Sequence, residues 1–333
     1  DTASIEAAAA ALKAIGGGTL FFPHGTYVVA AMDLVNMNNC LIDLGGSTLT
    51  TTDANTTWLV RLRTSNNCKV INGVFEGNRQ GRALSSPLGG VNPHNLFVRG
   101  GSNIVIENVE SNNAVGDGFY VVGEVTDNNT THPNIDFISC HAATNYRQGL
   151  SFIEWTTANV VGGSFNGQTG GDPQSGIDIE PNNASALIDG ALVYVSGAEF
   201  KSNVHRGILT SGTPASGSIT LVVSGCVFSG NANNAIETVH DLVVSDCVFV
   251  DCNGSDVAAI QQNSGTGTAT KTIVTGCQFT DCEKYGGRRR PEKTTVISDC
   301  IVRNSKGLVA ADNGNLVVSG RIVESPTTTA ITL

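Results

Sequence analysis

Charged residues are scarce in this chain of 333 residues, at 14% of the total, while hydrophobic residues make up 40%. This balance excludes intrinsic disorder, which needs low hydrophobicity together with high net charge. Runs of about 18 consecutive apolar residues are also absent, so the sequence contains no segment typical of a membrane-spanning helix. We therefore expect a folded chain without membrane insertion.

Basic residues are fewer than acidic ones, 19 against 29, and the formal net charge is −10. Binding to nucleic acid is driven largely by Lys and Arg side chains that displace counterions from phosphates, so we expect no nucleic-acid partner. The one basic cluster, Arg288 to Arg290, follows two glycines and is predicted to be a solvated loop.

Methionine and tryptophan are rare, with two residues each, whereas glycine is abundant at 39 residues. Together with frequent Asn, Ser, Thr and Val, this composition is typical of many short strands joined by tight turns. The sequence begins at Asp1 without a methionine or a signal-peptide pattern, which indicates a processed product or a fragment.

Nine cysteines follow the spacing of neither a zinc site nor a small disulfide scaffold. Cys226, Cys247, Cys277 and Cys300 each occur in one recurring phrase, typified by Ser-Gly-Cys-Val-Phe, at spacings of 21, 30 and 23 residues. Degenerate copies of the phrase recur through most of the chain, each behind a short β-branched stretch. Such a repeat indicates a solenoid, because each unit buries its apolar face only by stacking on its neighbours.

Repeat units made of strands and turns, without a helix in each unit, predict an all-β parallel β-helix whose rungs lie about 4.8 Å apart. Equivalent side chains of successive rungs stack in such a coil. The four cysteines are therefore predicted to form an interior ladder of free thiols that pack as small apolar groups, with a ladder of disulfides as the alternative.

One alanine-rich segment departs from the repeat. Thr2 to Ile15 carries apolar residues at helical spacing and is followed by three glycines, which stop a helix. An open solenoid end exposes apolar side chains and strand edges and needs a cap. We expect residues 1–18 to form this capping helix and residues 19–333 to form the β-helix, as one domain overall.

Two runs in this entry segment carry a family resemblance: Asp1-Thr2-Ala3-Ser4-Ile5-Glu6 and Gly16-Gly17-Gly18-Thr19-Leu20-Phe21-Phe22-Pro23-His24-Gly25-Thr26-Tyr27. The segment resembles the entry of the pectate-lyase-like superfamily, which includes phage tailspike depolymerases, mannuronan epimerases and polygalacturonase-like glycosidases. The resemblance implies a right-handed, single-stranded parallel β-helix. Tailspike relatives tend to be trimers, so the resemblance also raises a homotrimer as an expectation.

The resemblance does not reach a subfamily. Gly176-Ile177-Asp178 is similar to the polygalacturonase-like branch, but the second Asp pair and the Gly-His-Gly phrase of that branch are missing. The Asp-Pro-His-Glu-like phrase of the epimerase branch is missing as well. What remains is a general tailspike-like or bacterial depolymerase.

Aligning the rungs shows which distant residues become neighbours. Five segments align without gaps on a small residue: residues 117–121, 148–152, 175–179, 206–210 and 234–238. Because side chains alternate along a strand, an apolar residue that points into the coil is followed by one that points out. One outward column is then Tyr120, Ser151, Asp178, Leu209 and Glu237. The column before it is Asp117, Gln148, Ser175, Arg206 and Asn234.

This alignment places Asp178 and Glu180 on one face, with their Cα atoms roughly 6.5 to 7 Å apart, and Glu237 about two rungs away. A carboxylate pair roughly 6.5 to 9.5 Å apart fits inverting glycoside hydrolysis, in which one acid protonates the leaving oxygen and the other activates water. Like-charge proximity would raise the pKa of one of them and so define the acid. Asp178, Glu180 and Glu237 are the predicted catalytic residues, without an assignment of acid and base.

Further polar and aromatic residues lie on adjoining rungs around these carboxylates. The predicted substrate-binding residues are Arg147, Glu154, Tyr120, Asp117, Arg206 and His205. Trp155 is a further aromatic that could stack on a sugar ring. Each of them taken alone is more typical of an ordinary surface or turn residue, so the prediction rests on their convergence.

The leading hypothesis is a glycosidase that degrades an extracellular or capsular polysaccharide along the outer wall of the coil, where a long shallow groove suits a linear polymer. The second hypothesis is a lyase or C5-epimerase of uronic acids, in which Arg147 or Arg206 neutralises the sugar carboxylate. The third is a fibre or adhesin that only binds glycan. We expect no cofactor for a hydrolase, and Ca²⁺ held by Asp178 and Glu180 for a lyase. The expected location is extracellular or on a virion.

Overall fold

The computed structural model describes residues 1–81, 93–126, 129–181, 191–212, 218–252, 259–262, 271–282, 294–305, 315–319 and 323–324. The basic cluster of Arg288 to Arg290 lies outside the described residues. No helix in the described part of the chain has both the length and the apolar character needed to cross a membrane.

Helix α1 spans Thr2–Ala14 and packs on the N-terminal end of the coil. Its apolar side chains Ile5 and Ala9 are buried and belong to the main core. The following segment is tied to the start of the helix, since three of its main-chain N–H groups donate hydrogen bonds to the side chains of Asp1, Thr2 and Glu6. The predicted capping helix is confirmed, and the first strand begins at Gly18.

Short strands make up nearly all the remaining regular structure. In chain order the described strands are β1 (Gly18–Phe21), β2 (Thr26–Val28), β3 (Met32–Val35), β4 (Cys40–Thr50), β5 (Trp58–Arg63), β6 (Asn66–Glu76), β7 (His94–Arg99), β8 (Ser102–Asn112), β9 (Phe119–Val122), β10 (Glu124–Thr126), β11 (Asn129–Thr131), β12 (Asn134–Ile138), β13 (His141–Ala143), β14 (Leu150–Phe152), β15 (Thr157–Val161), β16 (Ser164–Asn166), β17 (Ile177–Ile179), β18 (Ala191–Ser196), β19 (Glu199–Lys201), β20 (Ile208–Thr210), β21 (Ile219–Ser224), β22 (Val227–Ser229), β23 (Ile236–Thr238), β24 (Asp241–Ser245), β25 (Val248–Val250), β26 (Ile260–Gln262), β27 (Lys271–Thr275), β28 (Gln278–Thr280), β29 (Thr294–Ser298), β30 (Ile301–Arg303), β31 (Asn315–Ser319) and β32 (Val323–Glu324).

The strands form three faces of one coil. Face 1 contains β12, β15, β18, β21, β24, β27, β29 and β31, and face 2 contains β13, β16, β19, β22, β25, β28, β30 and β32. Both belong to one 21-stranded sheet, because the long strand β8 pairs with β12 through its first half and with β13 through its second half. Face 3 is a nine-stranded sheet in the order β3-β5-β7-β9-β14-β17-β20-β23-β26.

Pairing between successive rungs is parallel throughout the described residues, and the small β10–β11 hairpin is the antiparallel exception. A coil of parallel strands that returns to the same three faces on each turn is a parallel β-helix. The predicted fold class is confirmed.

The bend between faces 1 and 2 explains the recurring cysteine phrase. The residue before the cysteine has a positive φ, +61° at Gly225 and +55° at Asp246. Glycine adopts this left-handed conformation freely, and Asp or Asn more readily than other residues. The cysteine that follows points into the coil. All nine cysteines lie in the described part of the chain, and each is buried and free. The ladder of thiols is confirmed and the disulfide alternative is wrong.

The interior behind face 2 contains a stack of phenylalanine rings that follows the rung repeat. Adjacent ring centroids are 4.7 to 5.8 Å apart and the planes are nearly parallel. The five rings are those of Phe165, Phe200, Phe228, Phe249 and Phe279. Truncating a buried Phe to Ala costs about 3 to 5 kcal/mol, so the stack is a substantial part of the scaffold behind the outer wall.

A column of glycines fixes the register of face 3. The N–H of Gly149 donates to the main chain of Ser175, and the N–H of Gly176 donates to the main chain of Arg206. A Cβ atom at Gly176 would lie 2.7 Å from the carbonyl oxygen of Gly207 on the next rung, closer than any side chain tolerates. Glycine therefore allows these rungs to pack at the ordinary strand spacing. The resulting register is the one predicted by the rung alignment.

Candidate active site

The outer column of face 3 brings residues from six strands into one line. Cα pairing in register runs through Phe97, Tyr120, Ser151, Asp178, Leu209 and Glu237. Ile177 and Ile179 on either side of Asp178 belong to the apolar core, so the intervening side chain points away from it. The structure therefore places Asp178 on the outer wall, in the column predicted from the sequence.

Asp178 is nevertheless closed off from solvent, at 1% exposure. The sequence predicted an open wall, and this detail is wrong because groups from adjoining rungs cover the carboxyl. Gln148, which precedes β14, donates a hydrogen bond of 2.8 Å from Nε2 to Asp178 Oδ2. Asp178 Oδ1 has no hydrogen-bond partner among the described residues. One oxygen of the carboxyl is thus oriented by the scaffold and the other is left open to a further partner.

The surroundings of Asp178 raise its pKa from 3.8 to about 7. Burial is the largest cause, since it disfavours the charged form, and the negative charge of Glu180 is the next. Asp117 adds to the effect, whereas the hydrogen bond from Gln148 and the positive charge of Arg147 oppose it. Like-charge proximity therefore contributes as predicted, but burial contributes more. A carboxyl with this pKa carries its proton for about half of the time at neutral pH.

Glu180 is exposed and follows β17 directly. Its main-chain N–H donates to the carbonyl oxygen of Phe152 on the preceding rung at 2.9 Å, which anchors the backbone at this position. Ile153 occupies the corresponding place after β14, and the half-buried Glu154 follows it. Burial raises the pKa of the Tyr120 phenol, and the negative charge of Glu154 adds a small part of the increase. The predicted pair of Asp178 and Glu180 thus consists of one buried and one exposed carboxyl.

Asp117 lies beneath the wall and is fully buried. Its carboxylate accepts hydrogen bonds from the Ser151 hydroxyl at 3.1 Å and from the main-chain N–H of Gln148 at 3.4 Å. The main-chain N–H of Asp117 donates to His94 Nδ1 at 3.3 Å. Burial lowers the pKa of His94 to about 4, so the ring is neutral at pH 7. Asp117 therefore organises the polar network next to Asp178, and the structure does not present it to a ligand.

Glu237 is held by Arg206. The Arg206 Nε group donates a hydrogen bond to Glu237 Oε2, and both side chains are largely buried. Leu209 separates Glu237 from Asp178 in the outer column, so the two carboxyls lie two rungs apart, roughly 10 Å. The structure thus shows Glu237 and Arg206 as partners of each other and does not bring Glu237 to Asp178.

Arg147 and His205 meet at Asp172, in the segment that precedes β17. Arg147 Nε donates to the carbonyl oxygen of Asp172 at 3.2 Å, and His205 Nδ1 lies 3.0 Å from the Asp172 carboxylate. Arg147 Nη1 also approaches Asp117 Oδ1 at 3.8 Å. Arg147 lies close enough to act electrostatically on Asp178, whereas His205 lies at the margin of the site.

The two aromatic predictions have different outcomes. Tyr120 is half-buried on the outer wall and stacks on His94, with ring centroids 4.0 Å apart. Trp155 is fully buried, and its Nε1 donates to the carbonyl oxygen of Leu192 at 3.2 Å. A stacking role for Trp155 on a sugar is wrong, because its ring belongs to the apolar core.

Sequence reasoning missed His94 and gave no role to Gln148 or Ser151. The alignment extends one rung further, since Leu96 pairs with Phe119 and Phe97 pairs with Tyr120. Asn95 then occupies the place that glycine holds on the other rungs, which is why an alignment anchored on glycine stopped one rung short. The sequence signal for Gln148 was its position next to Asp117 in the polar column that precedes the outward column of Asp178.

Within the described residues, no group of three or more His, Cys, Asp and Glu side chains is arranged to hold a metal ion. The Ca²⁺ expected for the lyase hypothesis stays a prediction.

Known proteins resemble this chain in structure and not in sequence. No protein-family model matches the chain, and no curated protein matches it. A hyperthermoactive exopolygalacturonase from Thermotoga maritima is 13% identical with a TM-score of 0.57, over 97% of this chain and 87% of that one. The tailspike protein of Acinetobacter baumannii bacteriophage Fri1, a capsular polysaccharide depolymerase, is 15% identical with a TM-score of 0.59, over 99% of this chain and 59% of that one.

A mannuronan C-5 epimerase module from Azotobacter vinelandii is 16% identical with a TM-score of 0.50, over 99% of this chain and 95% of that one. Likeness at these identities shows the fold and leaves the reaction open. The chain therefore shares the parallel β-helix fold of these proteins, the fold that its entry segment implies.

Proposed function

We propose that this chain is a glycoside-hydrolase-type enzyme that degrades an extracellular or capsular polysaccharide. The observation that carries the proposal is Asp178, an outer-wall carboxyl whose pKa is raised to about 7 and which lies two residues from the exposed Glu180. Strongly perturbed carboxyls with a named charge partner are typical of functional sites. The three structural neighbours above, an exopolygalacturonase, a capsular polysaccharide depolymerase and a mannuronan C-5 epimerase, support a polysaccharide-active enzyme.

The different burial of the two carboxyls assigns them different catalytic roles. Asp178 is the general acid, because its raised pKa keeps a proton available near neutral pH. It donates that proton to the glycosidic oxygen as the bond to the anomeric carbon breaks. Glu180 is the base: it accepts a proton from the water whose oxygen bonds to the same carbon. Proton exchange with solvent then restores both groups. The Cα atoms of the two residues are roughly 6.5 to 7 Å apart along the strand, a spacing that leaves room between the carboxyls for the water of an inverting mechanism.

The burial of Asp178 adds a requirement to this mechanism. Proton transfer needs the donor within hydrogen-bond reach of the glycosidic oxygen. Side chains around Asp178 must therefore shift when a glycan binds. Arg147 is suited to this movement, since its contacts are a 3.2 Å bond to a main-chain oxygen and a 3.8 Å approach to Asp117.

The lyase and epimerase hypothesis needs Arg147 or Arg206 to neutralise a uronate. Arg206 is bound to Glu237 and would have to leave a mostly buried carboxylate. Arg147 has weaker contacts with Asp172 and Asp117 and is the arginine still open to this role. The pairing of Arg206 therefore removes one of the two candidates, which favours the hydrolase for the outer wall.

Location and assembly belong to the same proposal. A depolymerase of surface glycans acts outside the cell or on a virion, and the tailspike neighbour supports such a setting. A homotrimer stays a prediction, which light scattering of the purified protein tests by its mass. Polysaccharide is the proposed partner in either case.

The test is a panel of neutral and acidic polysaccharides scored for new reducing ends and for the ultraviolet absorbance of an unsaturated uronate. The proposal expects reducing ends without the absorbance. Asp178→Asn is expected to lower turnover by about 10²- to 10⁴-fold, the usual contribution of a general acid. Asp136→Asn on face 1 is the matched control, because Asp136 is a hydrogen-bonded outer-wall carboxylate far from the site, and it should keep full activity.

Two results would overturn the proposal. Equal loss of activity in both variants would show that the substitution acts through the fold. A protein that binds glycan but releases no reducing ends, with Asp178→Asn binding as the wild type does, would be the non-catalytic adhesin of the third hypothesis.

A further inference from the structure

Three consecutive rungs of face 3 carry aromatic rings on the outer wall, on the N-terminal side of Asp178. We call this set the aromatic strip: Trp58 on β5, His94 and Phe97 on β7, and Tyr120 on β9. Trp58, Phe97 and Tyr120 are half-buried, and the His94 side chain keeps 10% of its surface exposed. Phe97 and Tyr120 pair in one outer column, whereas Trp58 pairs with His94 three residues earlier along the strands. The partly exposed rings together form an extended apolar surface.

The rings of the aromatic strip hold one another in place. Ring centroids are 6.2 Å apart for Trp58 and Phe97, and 5.2 Å apart for Phe97 and Tyr120, both with edge-to-face geometry. Tyr120 also stacks on His94. Rings fixed by their neighbours lose little side-chain entropy when a ligand covers them, so the strip is preorganised for binding.

The strip is continuous with the proposed catalytic residues. Phe97, Tyr120, Ser151 and Asp178 follow one another in register in a single outer column. From the strand of Trp58 to that of Asp178 there are four rung steps, roughly 19 Å. The rung spacing is close to the length of one sugar residue in an extended glycan, so a short run of residues covers the distance.

Two of the three arginines on β5 and β7 are paired with carboxylates, and Arg63 at the end of β5 has no ion pair among the described residues. Arg61 lies 4.0 Å from the Trp58 ring centroid, and its guanidinium binds Asp33 through two hydrogen bonds of 3.1 and 2.5 Å. Arg99 at the end of β7 binds Glu124. Burial lowers the pKa of His94 to about 4, which leaves the ring uncharged at pH 7. An aromatic surface on which Arg61 and Arg99 are already paired and His94 is neutral matches an uncharged ligand.

We infer that the aromatic strip is the subsite that binds the glycan ahead of the cleaved bond, and that it takes neutral pyranose residues. The C–H face of a pyranose packs on an aromatic ring while the hydroxyl groups remain in water, which suits amphipathic, half-exposed aromatics. The assignment rests on the proposed function in one respect, namely that the bound polymer continues from the strip to Asp178. It names the substrate class as neutral, in contrast to uronates.

Tryptophan fluorescence tests the subsite without turnover. The chain has two tryptophans, and Trp155 is fully buried, so a change in emission on binding reports Trp58. Asp178→Asn protein is titrated with hexasaccharides of glucose, galactose and mannose and with hexagalacturonate. A saturable change with at least one neutral hexasaccharide, tighter than with hexagalacturonate, is expected. No change with any of the neutral sugars, or tighter binding of hexagalacturonate, overturns the inference.

Substitutions on the strip separate this inference from the proposed function. Phe97→Ala and Tyr120→Ala are expected to weaken binding about tenfold, a stacking contribution of about 1.4 kcal/mol. In the active protein they should raise KM and leave kcat within a few-fold. Tyr194→Ala is the matched control, since Tyr194 is an exposed aromatic on face 1, and its binding should equal that of the wild type.

Phe97→Leu, which retains much of the apolar volume, provides a second variant if Phe97→Ala does not fold. If Phe97→Leu and Tyr120→Ala cleave a glycan with unchanged KM, the subsite assignment is wrong and the proposed hydrolase function is still supported. Glycan binding that depends on Phe97, with no cleavage by the wild type, supports the subsite and overturns the hydrolase.

Discussion

Gln148 and Asp178 are joined across two successive rungs by a 2.8 Å hydrogen bond from the side-chain amide to Oδ2 of the carboxyl. The bond stabilises the ionised form of Asp178, in opposition to burial and to the charge of Glu180. Because burial dominates, the pKa still reaches about 7. Gln148 therefore orients the proposed acid and limits how far its pKa rises.

Removing that hydrogen bond is expected to raise the pKa of Asp178 further. Gln148→Met has a similar volume and no donor, so the alkaline limb of the pH profile of kcat/KM, near 7 in the wild type, should move to higher pH. Initial rates on the cleaved glycan across pH 5 to 9 measure it. A limb that stays in place, or moves to lower pH, contradicts the role given to Gln148.

The acid and base roles differ in their dependence on the leaving group. A nitrophenyl glycoside of the cleaved sugar leaves without protonation, so Asp178→Asn should regain most of the wild-type rate on this substrate. Glu180→Gln should stay inactive on it, because water activation is still required. The ratio of rates on the aryl glycoside and the natural glycan checks the assignment, and the reverse pattern would exchange the two roles. Glu110→Gln, an exposed glutamate on β8, is the matched control for Glu180→Gln and should behave as the wild type.

Asp178 also makes stability depend on pH. Its folded-state pKa lies above the unfolded value, so its contribution is fully present below about pH 4 and is lost as the pH rises through about 7. The Asp178→Asn variant has no carboxyl at this position, so its stability does not fall through this effect as the pH rises. The free energy of unfolding of the variant relative to the wild type should therefore increase by up to about 4 kcal/mol between pH 4 and 8. Urea unfolding of both proteins measures this difference, in which all other titrating groups cancel. A difference that is flat with pH contradicts the raised pKa.

Arg206 and Glu237 are expected to contribute jointly to the free energy of unfolding. We do not expect them to take part in catalysis. Arg206→Met leaves a mostly buried carboxylate without its arginine and should cost about 1 to 3 kcal/mol, less than for a fully buried pair because both groups keep some exposure. Adding Glu237→Gln should recover part of this loss in a double-mutant cycle. Turnover of Glu237→Gln should stay within a few-fold of the wild type. Its abolition would restore the catalytic role predicted from the sequence.

The fold could be predicted because its determinants are local and repeated. Left-handed bends at Gly225 and Asp246 precede buried cysteines, so one phrase recurs at several of the bends between faces 1 and 2. The glycine column fixes face 3 in the same way, since Gly176 stacks directly beneath the carbonyl of Gly207. The cysteine phrase and the glycine positions can both be recognised in short stretches of sequence, without knowledge of distant contacts.

The sequence predicted which site residues align on successive rungs, but not how far each side chain is buried. The alternation of side chains along β17 predicted that Asp178 points outward, but its exposure depends on contacts between rungs, such as the hydrogen bond from Gln148, that the alternation does not contain. The pairing of Glu237 with Arg206 also escaped prediction, because two columns can exchange partners through long side chains. His94 was missed because Asn95 replaces the glycine that anchors the other rungs.

The pKa of Asp178 is the quantity on which the account depends, and it can be measured without a substrate. Side-chain ¹³C carboxyl resonances of aspartate-labelled protein, assigned by the signal lost in Asp178→Asn, titrate with pH. We expect the Asp178 resonance to titrate near pH 7. A titration near the ordinary value of 3.8 would contradict the assignment of Asp178 as the acid.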